Sequence, residues 1–126
     1  MKKIIETKNA PAPIGPYSQA VLVNNTLYTS GQIAIDPDNG NLVTGNIEDE
    51  TSLVMKNIKA ILAAAEMDFD HVIKSSIFIS NMDDFTKINN IYGSFFDEKN
   101  APARETVQVA KLPKNVNVEI SVIAMK

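Results

Sequence analysis

The sequence predicts an α+β domain in which one mixed β-sheet carries two helices packed on one of its faces. Two observations support this prediction. Apolar residues recur at helical spacing in two segments, and short β-rich segments surround them in the order β-β-α-β-α-β-β. With 126 residues, the chain has the length of a single domain, residues 1–126, and can bury a substantial core.

The first elements are a proline-rich loop and a hairpin. Residues 9–18 contain three prolines and a glycine, which disfavour a helix, while Ile14 and Tyr17 can anchor the loop. The segments Ala20–Val23 and Thr26–Ser30 flank Asn24-Asn25 and are typical of a β-hairpin. Residues 2–6 can add one further strand.

The first helix has a clear start signal. Asn46 is a good N-cap, and Asp49 follows three residues later in an acidic first turn that the helix dipole favours. The apolar spacing predicts that this helix ends near Glu66 or Met67. Val72–Ser80 is then predicted to be a strand that lies inside the sheet, because apolar residues occupy both of its faces.

A second helix and two strands complete the chain. The helix is predicted over about Asp83–Asp97. The final strands are predicted over about Arg104–Ala110 and Val116–Met125. The inner side of the helix is expected to carry Phe85, Ile88, Tyr92, Phe95 and Phe96.

The alternation of side chains in the last two strands predicts two different sheet faces. We expect the row of Val118, Ile120 and Val122 to lie under the helices, together with Val107 and Val109. A small domain commonly covers an exposed sheet face with another copy of itself, so we expect a homo-oligomer with clefts between subunits. The uncovered face is then expected to carry Arg104, Thr106, Glu119, Ser121 and Ser30.

Composition excludes several classes of site. The net charge is −3 and no basic block occurs, which argues against nucleic acid as a partner. The absence of cysteine excludes disulfides, thiol nucleophiles and cysteine-based metal sites. His71 is the only histidine, so a metal ligand set is not expected, and no cofactor is predicted. No segment approaches the ~20 apolar residues of a membrane span. Because a signal peptide is also missing, we expect no membrane partner and a cytoplasmic location.

Two opposite charges in neighbouring predicted strands are the main candidates for chemistry. Arg104 and Glu119 lie in otherwise core-forming sequence, where an unpaired charge is costly. A structural salt bridge is the commoner explanation of such a pair. The functional alternative is that Arg104 receives a substrate carboxylate through its forked guanidinium, while Glu119 holds a water or moves a proton.

Other polar residues could surround the same site. Tyr17, Ser30 and Thr106 are candidates, although each one alone is more commonly a surface or packing residue. Asn89, on the second predicted helix, could face solvent or donate a hydrogen bond in a cleft. No phosphate-binding glycine loop and no Ser-His-Asp set occur.

Taken together, these segments resemble the RidA (YjgF) family of reactive intermediate deaminases, and the similarity covers nearly the whole chain. The Pro-Ala-Arg stretch, followed at fixed distances by Leu-Pro and Val-Glu, is its most specific part. The matching segments are Ala12–Tyr17, Thr29–Ile33, Asn57–Ile61, Asp84-Phe85 with Asn89, Phe95-Phe96, Pro102–Arg104, Leu112-Pro113 and Val118–Ile120.

The resemblance implies a chorismate-mutase-like fold, a homotrimer with three inter-subunit clefts, and a cofactor-independent activity. That activity is the hydrolysis of enamine and imine intermediates such as 2-iminopropanoate and 2-iminobutanoate to 2-keto acids and ammonia. In this family pattern, Arg104 pairs with the substrate carboxylate and Glu119 positions the attacking water. The matching cleft-lining positions are Tyr17, Ser30, Gly31 and Asn89, with Thr106 contacting the ligand through its backbone.

The chain departs from the family pattern at two positions. Many relatives have cysteine where this chain has Thr106, and often serine where it has Glu105. Threonine is harmless if only its backbone contacts the ligand. We expect Glu105 to point away from the row of Glu119 and to affect catalysis little.

Two other functions use parts of the same sequence. A non-catalytic trimer could bind small carboxylates at Arg104 as a regulator, or hold unfolded clients. Ribonucleolytic activity, which has been attached to relatives of this family, is disfavoured by the absence of a basic surface.

Overall fold

The protein contains a single six-stranded β-sheet. Its structure is described here from a computed structural model covering residues 1–126. In chain order the elements are β1 (Lys2–Ile5), β2 (Ala20–Val23), β3 (Thr26–Thr29), α1 (Ile47–Ala64), β4 (Val72–Ile79), α2 (Phe85–Gly93), β5 (Ala103–Gln108) and β6 (Val118–Met125). The spatial order of the strands is β1-β2-β3-β6-β4-β5, with β4 and β5 parallel and all other neighbours antiparallel. The predicted single mixed sheet with two helices is therefore confirmed.

The N-terminal strands form as the sequence predicts. β2 and β3 make an antiparallel hairpin, and Asn24 takes a left-handed conformation in its turn, with φ of 55°. Asparagine tolerates this conformation better than most residues. The additional strand at the N-terminus is β1, which pairs with β2 along its whole length.

Helix α1 begins at the predicted N-cap. The Asn46 side chain accepts a hydrogen bond from the backbone N–H of Asp49 at 2.8 Å, which satisfies one of the free donors of the first turn. The helix ends at Ala64, slightly earlier than predicted, because Glu66 adopts a left-handed conformation with φ of 59°. Its buried stripe covers the sheet.

Helix α2 is shorter than the predicted span of Asp83–Asp97. It ends at Gly93, where glycine and the following serine are weaker helix formers than the preceding residues. Phe95 and Phe96 therefore lie beyond the helix, in a tight turn. They still face inward, because both rings contact Phe69, with centroids 5.4 and 5.2 Å apart respectively.

The core lies between the helices and one face of the sheet. Val118, Ile120 and Val122 of β6 are buried there, as predicted. Ile77 and Ile79 of β4 pair with the same row. None of the helices combines the length and apolarity needed to cross a bilayer.

The predicted orientation of β5 is wrong. The register pairs Arg104 with Ser75 and Thr106 with Ile77, so Arg104 and Thr106 share the face of the helices. Val107, predicted to be in the core, is 40% exposed on the opposite face. The physical reason is register: parallel pairing with β4 sets which residues face inward, and a shift by one residue exchanges the two faces of a strand.

The same register corrects the prediction for Glu105. Its carboxylate lies on the face of Glu119, where it pairs with Lys74 at 2.9 Å and accepts a hydrogen bond from Ser76. These two bonds lower the pKa of Glu105, with the Ser76 hydrogen bond contributing most.

Candidate functional site

Glu119 lies on the sheet face that the helices leave open, at the wall of a cavity of about 510 Å³. Tyr17, Ser30 and Gly31 line the same cavity, so the structure brings together four of the seven predicted site residues. Desolvation by burial raises the pKa of the Glu119 carboxyl. A carboxyl in this environment holds a proton more readily than one in water, which suits a group that exchanges protons with a substrate.

Gly31 gives the Glu119 side chain its space. A Cβ at position 31 would lie 2.5 Å from Oε2 and 2.6 Å from Cδ of Glu119, so any side chain there would force the Glu119 carboxylate to move. The next residue, Gln32, exchanges two backbone hydrogen bonds with Ile120, of 2.8 and 3.1 Å. The segment containing Gly31 is thus fixed directly against the strand that carries Glu119.

The loop in front of this cavity is held by Gln19, a residue that the sequence analysis did not single out. Its Oε1 accepts from the N–H of Thr7 at 2.7 Å, and its Nε2 donates to the carbonyls of Thr7, Ala10 and Pro11. Gln19 is buried, so these bonds form inside the protein. The only sign of this role in the sequence was the position of Gln19 directly before the apolar strand β2.

Two of the predicted cavity residues have local partners. The Ser30 hydroxyl donates to the carbonyl of Ser18 at 2.5 Å. The Tyr17 hydroxyl accepts from the N–H of Ile14 at 3.2 Å, while half of the Tyr17 residue remains exposed. Ser30 therefore fixes the loop more than it offers a free donor, whereas the Tyr17 ring forms an accessible wall.

Arg104 lies in a second cluster, under helix α2. Its Nη1 donates to Oδ1 of Asn89 at 2.6 Å, so Asn89 holds the arginine. The guanidinium carbon lies 5.7 Å from the ring centroid of Phe85 and 5.2 Å from that of Tyr92. Thr106 lies two residues along the same face, and its buried hydroxyl has no hydrogen-bond partner.

Arg104 is the only arginine in the chain, and no carboxylate pairs with it. A guanidinium carries five N–H donors, and its fork matches the two oxygens of a carboxylate. The Arg104 cluster can therefore receive an anionic group, with Asn89 and two aromatic rings holding the side chain in place.

The predicted site residues thus form two separate half-sites. We call Glu119, Tyr17, Ser30 and Gly31 the acid half-site, and Arg104, Asn89 and Thr106 the arginine half-site. Within one chain they lie on opposite faces of the sheet, with β4 between β5 and β6. The interpretation of Arg104 and Glu119 as a salt bridge within the chain is therefore wrong, as is their predicted place on one face.

The structure contains no group of three or more histidine, cysteine, aspartate or glutamate side chains that could hold a metal ion. The acid half-site has one carboxyl group, and the arginine half-site has none. What the two half-sites offer chemically is carboxylate binding at one and proton exchange at the other.

Comparison with known proteins relates these residues to a family. A family model described as Endoribonuclease L-PSP matches residues 7–126. The human protein named 2-iminobutanoate/2-iminopropanoate deaminase is 44% identical over 126 residues, covering 100% of this chain and 91% of the human one. A proposed regulator from Lactococcus lactis, AldR, is 57% identical over 122 residues, covering 97% of this chain and 96% of that protein.

The fold of this chain is also similar to that of a solved structure. A crystal structure of E. coli TdcF with bound serine superposes on this chain with a TM-score of 0.93. The two sequences are 44% identical, and the superposition covers 98% of each chain.

Proposed function

The chain belongs to the Endoribonuclease L-PSP family, which includes the RidA (YjgF) proteins, and we propose that it hydrolyses small 2-imino acids to 2-keto acids and ammonia. The natural candidates are 2-iminopropanoate and 2-iminobutanoate, because the human relative is named for them. The observation that carries the proposal is Arg104: a lone, exposed guanidinium without a carboxylate partner, held by neutral groups.

In this proposal, Arg104 binds the substrate carboxylate and places the imine carbon over the acid half-site. Glu119 accepts a proton from water as the oxygen attacks the iminium carbon, which gives a carbinolamine. The carboxylic acid then protonates the amine nitrogen, the C–N bond breaks, and the hydroxyl proton leaves as the carbonyl forms. The net reaction consumes one water and releases one ammonium, so no oxidant or cofactor is required. The raised pKa of Glu119 suits both proton transfers.

The reaction needs the two half-sites in one cleft, so we propose that the cleft forms between two copies of the chain. One copy supplies Arg104 and the next supplies Glu119, in a homotrimer with three equivalent clefts. The sheet face away from the helices supports this arrangement, since Ile4, Tyr28, Val107 and Met125 there are each at least 40% exposed. Exposed apolar residues that group on one face commonly mark an interface with another copy of the chain.

The test of the activity is keto-acid release from a 2-imino acid generated in situ, for example from threonine with a threonine dehydratase. We expect the wild type to accelerate 2-ketobutyrate formation and Arg104→Ala to lose this acceleration. Loss of one oriented binding contact of this kind commonly costs ~10²-fold or more in rate. Arg104→Lys is the matched variant, because it keeps the charge but not the fork, and should be intermediate. A fully active Arg104→Ala would reject the mechanism.

A second candidate is a ligand-binding protein without turnover, which the relative named as a proposed regulator favours. It uses the same Arg104, so binding alone does not separate the two functions. Calorimetric binding of 2-ketobutyrate by a wild type that releases no ammonia would select the regulator.

A further inference from the structure

Helix α2 presents three side chains to Arg104 along one stripe. Phe85, Asn89 and Tyr92 follow each other at spacings of four and three residues, which places them on the same helix face. All three contact the guanidinium: Asn89 by a hydrogen bond of 2.6 Å, and the two rings at 5.7 and 5.2 Å from Cζ. We call Phe85 and Tyr92 the aromatic clamp.

The clamp is anchored in the core, although the arginine is exposed. Tyr92 is 5% exposed, and its hydroxyl donates to Oγ of Ser75 on β4 at 2.8 Å. Its ring also packs against Phe96, with 4.8 Å between the centroids. Burial raises the pKa of Tyr92, so the ring stays neutral and its hydroxyl keeps the bond to Ser75.

The aromatic rings and the hydrogen-bond acceptors use different parts of the guanidinium. Cation–π attraction occurs between the cation and the face of a ring, and it uses none of the N–H donors at the edge of the guanidinium. Asn89 takes one bond from Nη1, which leaves the other edge donors for a ligand. Without such contacts, an exposed arginine on an edge strand samples many rotamers. Binding of a carboxylate must then restrict it to one rotamer, which costs conformational entropy.

We propose that Tyr92, together with Phe85, is a positioning residue that fixes the guanidinium of Arg104 with its edge presented to the substrate carboxylate. This inference rests on the proposed function, because it concerns how the carboxylate is received. The clamp preorganises Arg104 before a ligand arrives, so its loss should weaken binding of every small 2-keto or 2-imino acid. The chemical step at Glu119 should change little.

The single arginine makes a direct test possible. In a ¹⁵N-labelled chain, only Arg104 gives an arginine Nε–Hε signal. We expect ring currents from the aromatic clamp to displace the chemical shift of this signal in the wild type. Tyr92→Leu should return the chemical shift towards that of a flexible arginine. The same variant should raise the Kd for 2-ketobutyrate, and the KM for the imine, by about tenfold while kcat stays within about twofold.

Two further variants separate positioning from stability. Tyr92→Phe keeps the ring but leaves Ser75 without its partner, so it should lower the melting temperature while retaining the Nε–Hε signal and the Kd. Ile88→Ala is a buried change on the same helix, at a residue that makes neither a hydrogen bond nor a cation–π contact with Arg104. It should lower the melting temperature and leave both readouts at wild-type values.

The proposal is overturned if Tyr92→Leu behaves like Ile88→Ala, with reduced stability but an unchanged signal and Kd. It is also overturned if the wild type binds no 2-ketobutyrate. If the wild type binds 2-ketobutyrate but releases no ammonia from the imine, the proposed reaction fails. The comparison of Kd values and of the arginine signal then still decides whether the clamp positions Arg104.

Discussion

Glu119 is partly buried and has no cationic partner within its own chain, and this combination has a measurable effect on stability. Burial raises its pKa above the ordinary value of 4.5. Between pH 4.5 and the raised folded pKa, the unfolded chain releases its proton while the folded protein keeps it. The unfolded state therefore binds fewer protons, and this residue makes the stability fall as pH rises through that window.

Glu119→Gln should remove this pH-dependent loss, because glutamine does not ionise. We expect the variant to be more stable than the wild type at pH 7. It should lose that advantage at pH 4 and below, where the side chain at position 119 is neutral in the wild type as well as in the variant. Urea unfolding at a series of pH values measures the difference. The raised pKa of Glu119 in the folded protein would be contradicted if the variant were less stable than the wild type at pH 7. It would also be contradicted if the difference in stability between the two did not change with pH.

Thr106 provides a second test at the scale of a residue. Its buried hydroxyl lacks a partner, and an unpaired polar group of this kind costs ~1–3 kcal/mol. Thr106→Val keeps the shape and removes the hydroxyl, so we expect the free energy of unfolding to rise by about 1 kcal/mol.

Thr51→Val is the matched control for this change. Thr51 is fully buried and its hydroxyl donates to the carbonyl of Ile47 at 2.7 Å, so the same substitution there should lower the free energy of unfolding. Equal losses in the two variants would mean that the Thr106 hydroxyl is satisfied in the folded protein.

The residues of the candidate site could be proposed from the sequence, but the contacts that hold them could not. The charges in core-forming strands and the family motifs led to Arg104 and Glu119. By contrast, Gln19 was not singled out, and Phe85 and Tyr92 were expected only to pack on the inner side of the second helix. These three act by holding other groups, through contacts that depend on the folding of distant segments. A pattern of residue types does not contain those contacts.

At the scale of elements, the entrance of β6 is held by a buried carboxylate on α1. Glu50 accepts hydrogen bonds from the N–H of Asn117 at 2.7 Å, from its side-chain amide at 2.8 Å and from the N–H of Val118 at 3.2 Å. The sequence indicated only a favourable charge in the first turn of the helix. Packing shows that Glu50 also joins the helix to the strand just before Glu119.

Glu50→Gln should therefore be strongly destabilising. A glutamine has one acceptor oxygen, and its NH₂ group would face backbone donors, so we expect a loss of about 2 kcal/mol in the free energy of unfolding. Glu48→Gln removes the same charge from the same turn without touching β6, and should cost no more than about 1 kcal/mol. Denaturant unfolding compares the two, and equal losses would show that the strand contacts contribute nothing.

At the scale of the whole molecule, the sheet separates the arginine half-site from the acid half-site. The proposed cleft must then combine two chains. Arg104→Ala and Glu119→Gln should each be inactive alone, and an equal mixture of the two, refolded together, should recover activity. Random assembly in a ring gives an intact pair in about a quarter of the clefts.

The measurement is imine hydrolysis by the mixture, compared with the two variants refolded separately and then combined. The separately refolded sample is the control, because its subunits start in homogeneous oligomers. No recovery in the mixture would place both residues of a working site in the same chain and would contradict the inter-subunit cleft.

The sequence alone determined the class of fold, the strand and helix order, the N-cap at Asn46, the hairpin turn and the core row of β6. These features depend on local spacing and on the preferences of single residues, which a sequence displays directly. The shorter α2 was not predicted, because aromatic residues beyond Gly93 continue the apolar pattern in a turn.

Only the tertiary structure decided which face of the sheet each functional residue occupies. β5 is a short edge strand whose alternation fits either orientation, and its parallel pairing with β4 selects the one that turns Arg104 towards α2. That single choice of register places Arg104 and Glu119 on opposite faces. Pairing with a distant strand sets this register, so local sequence patterns carry no signal for it.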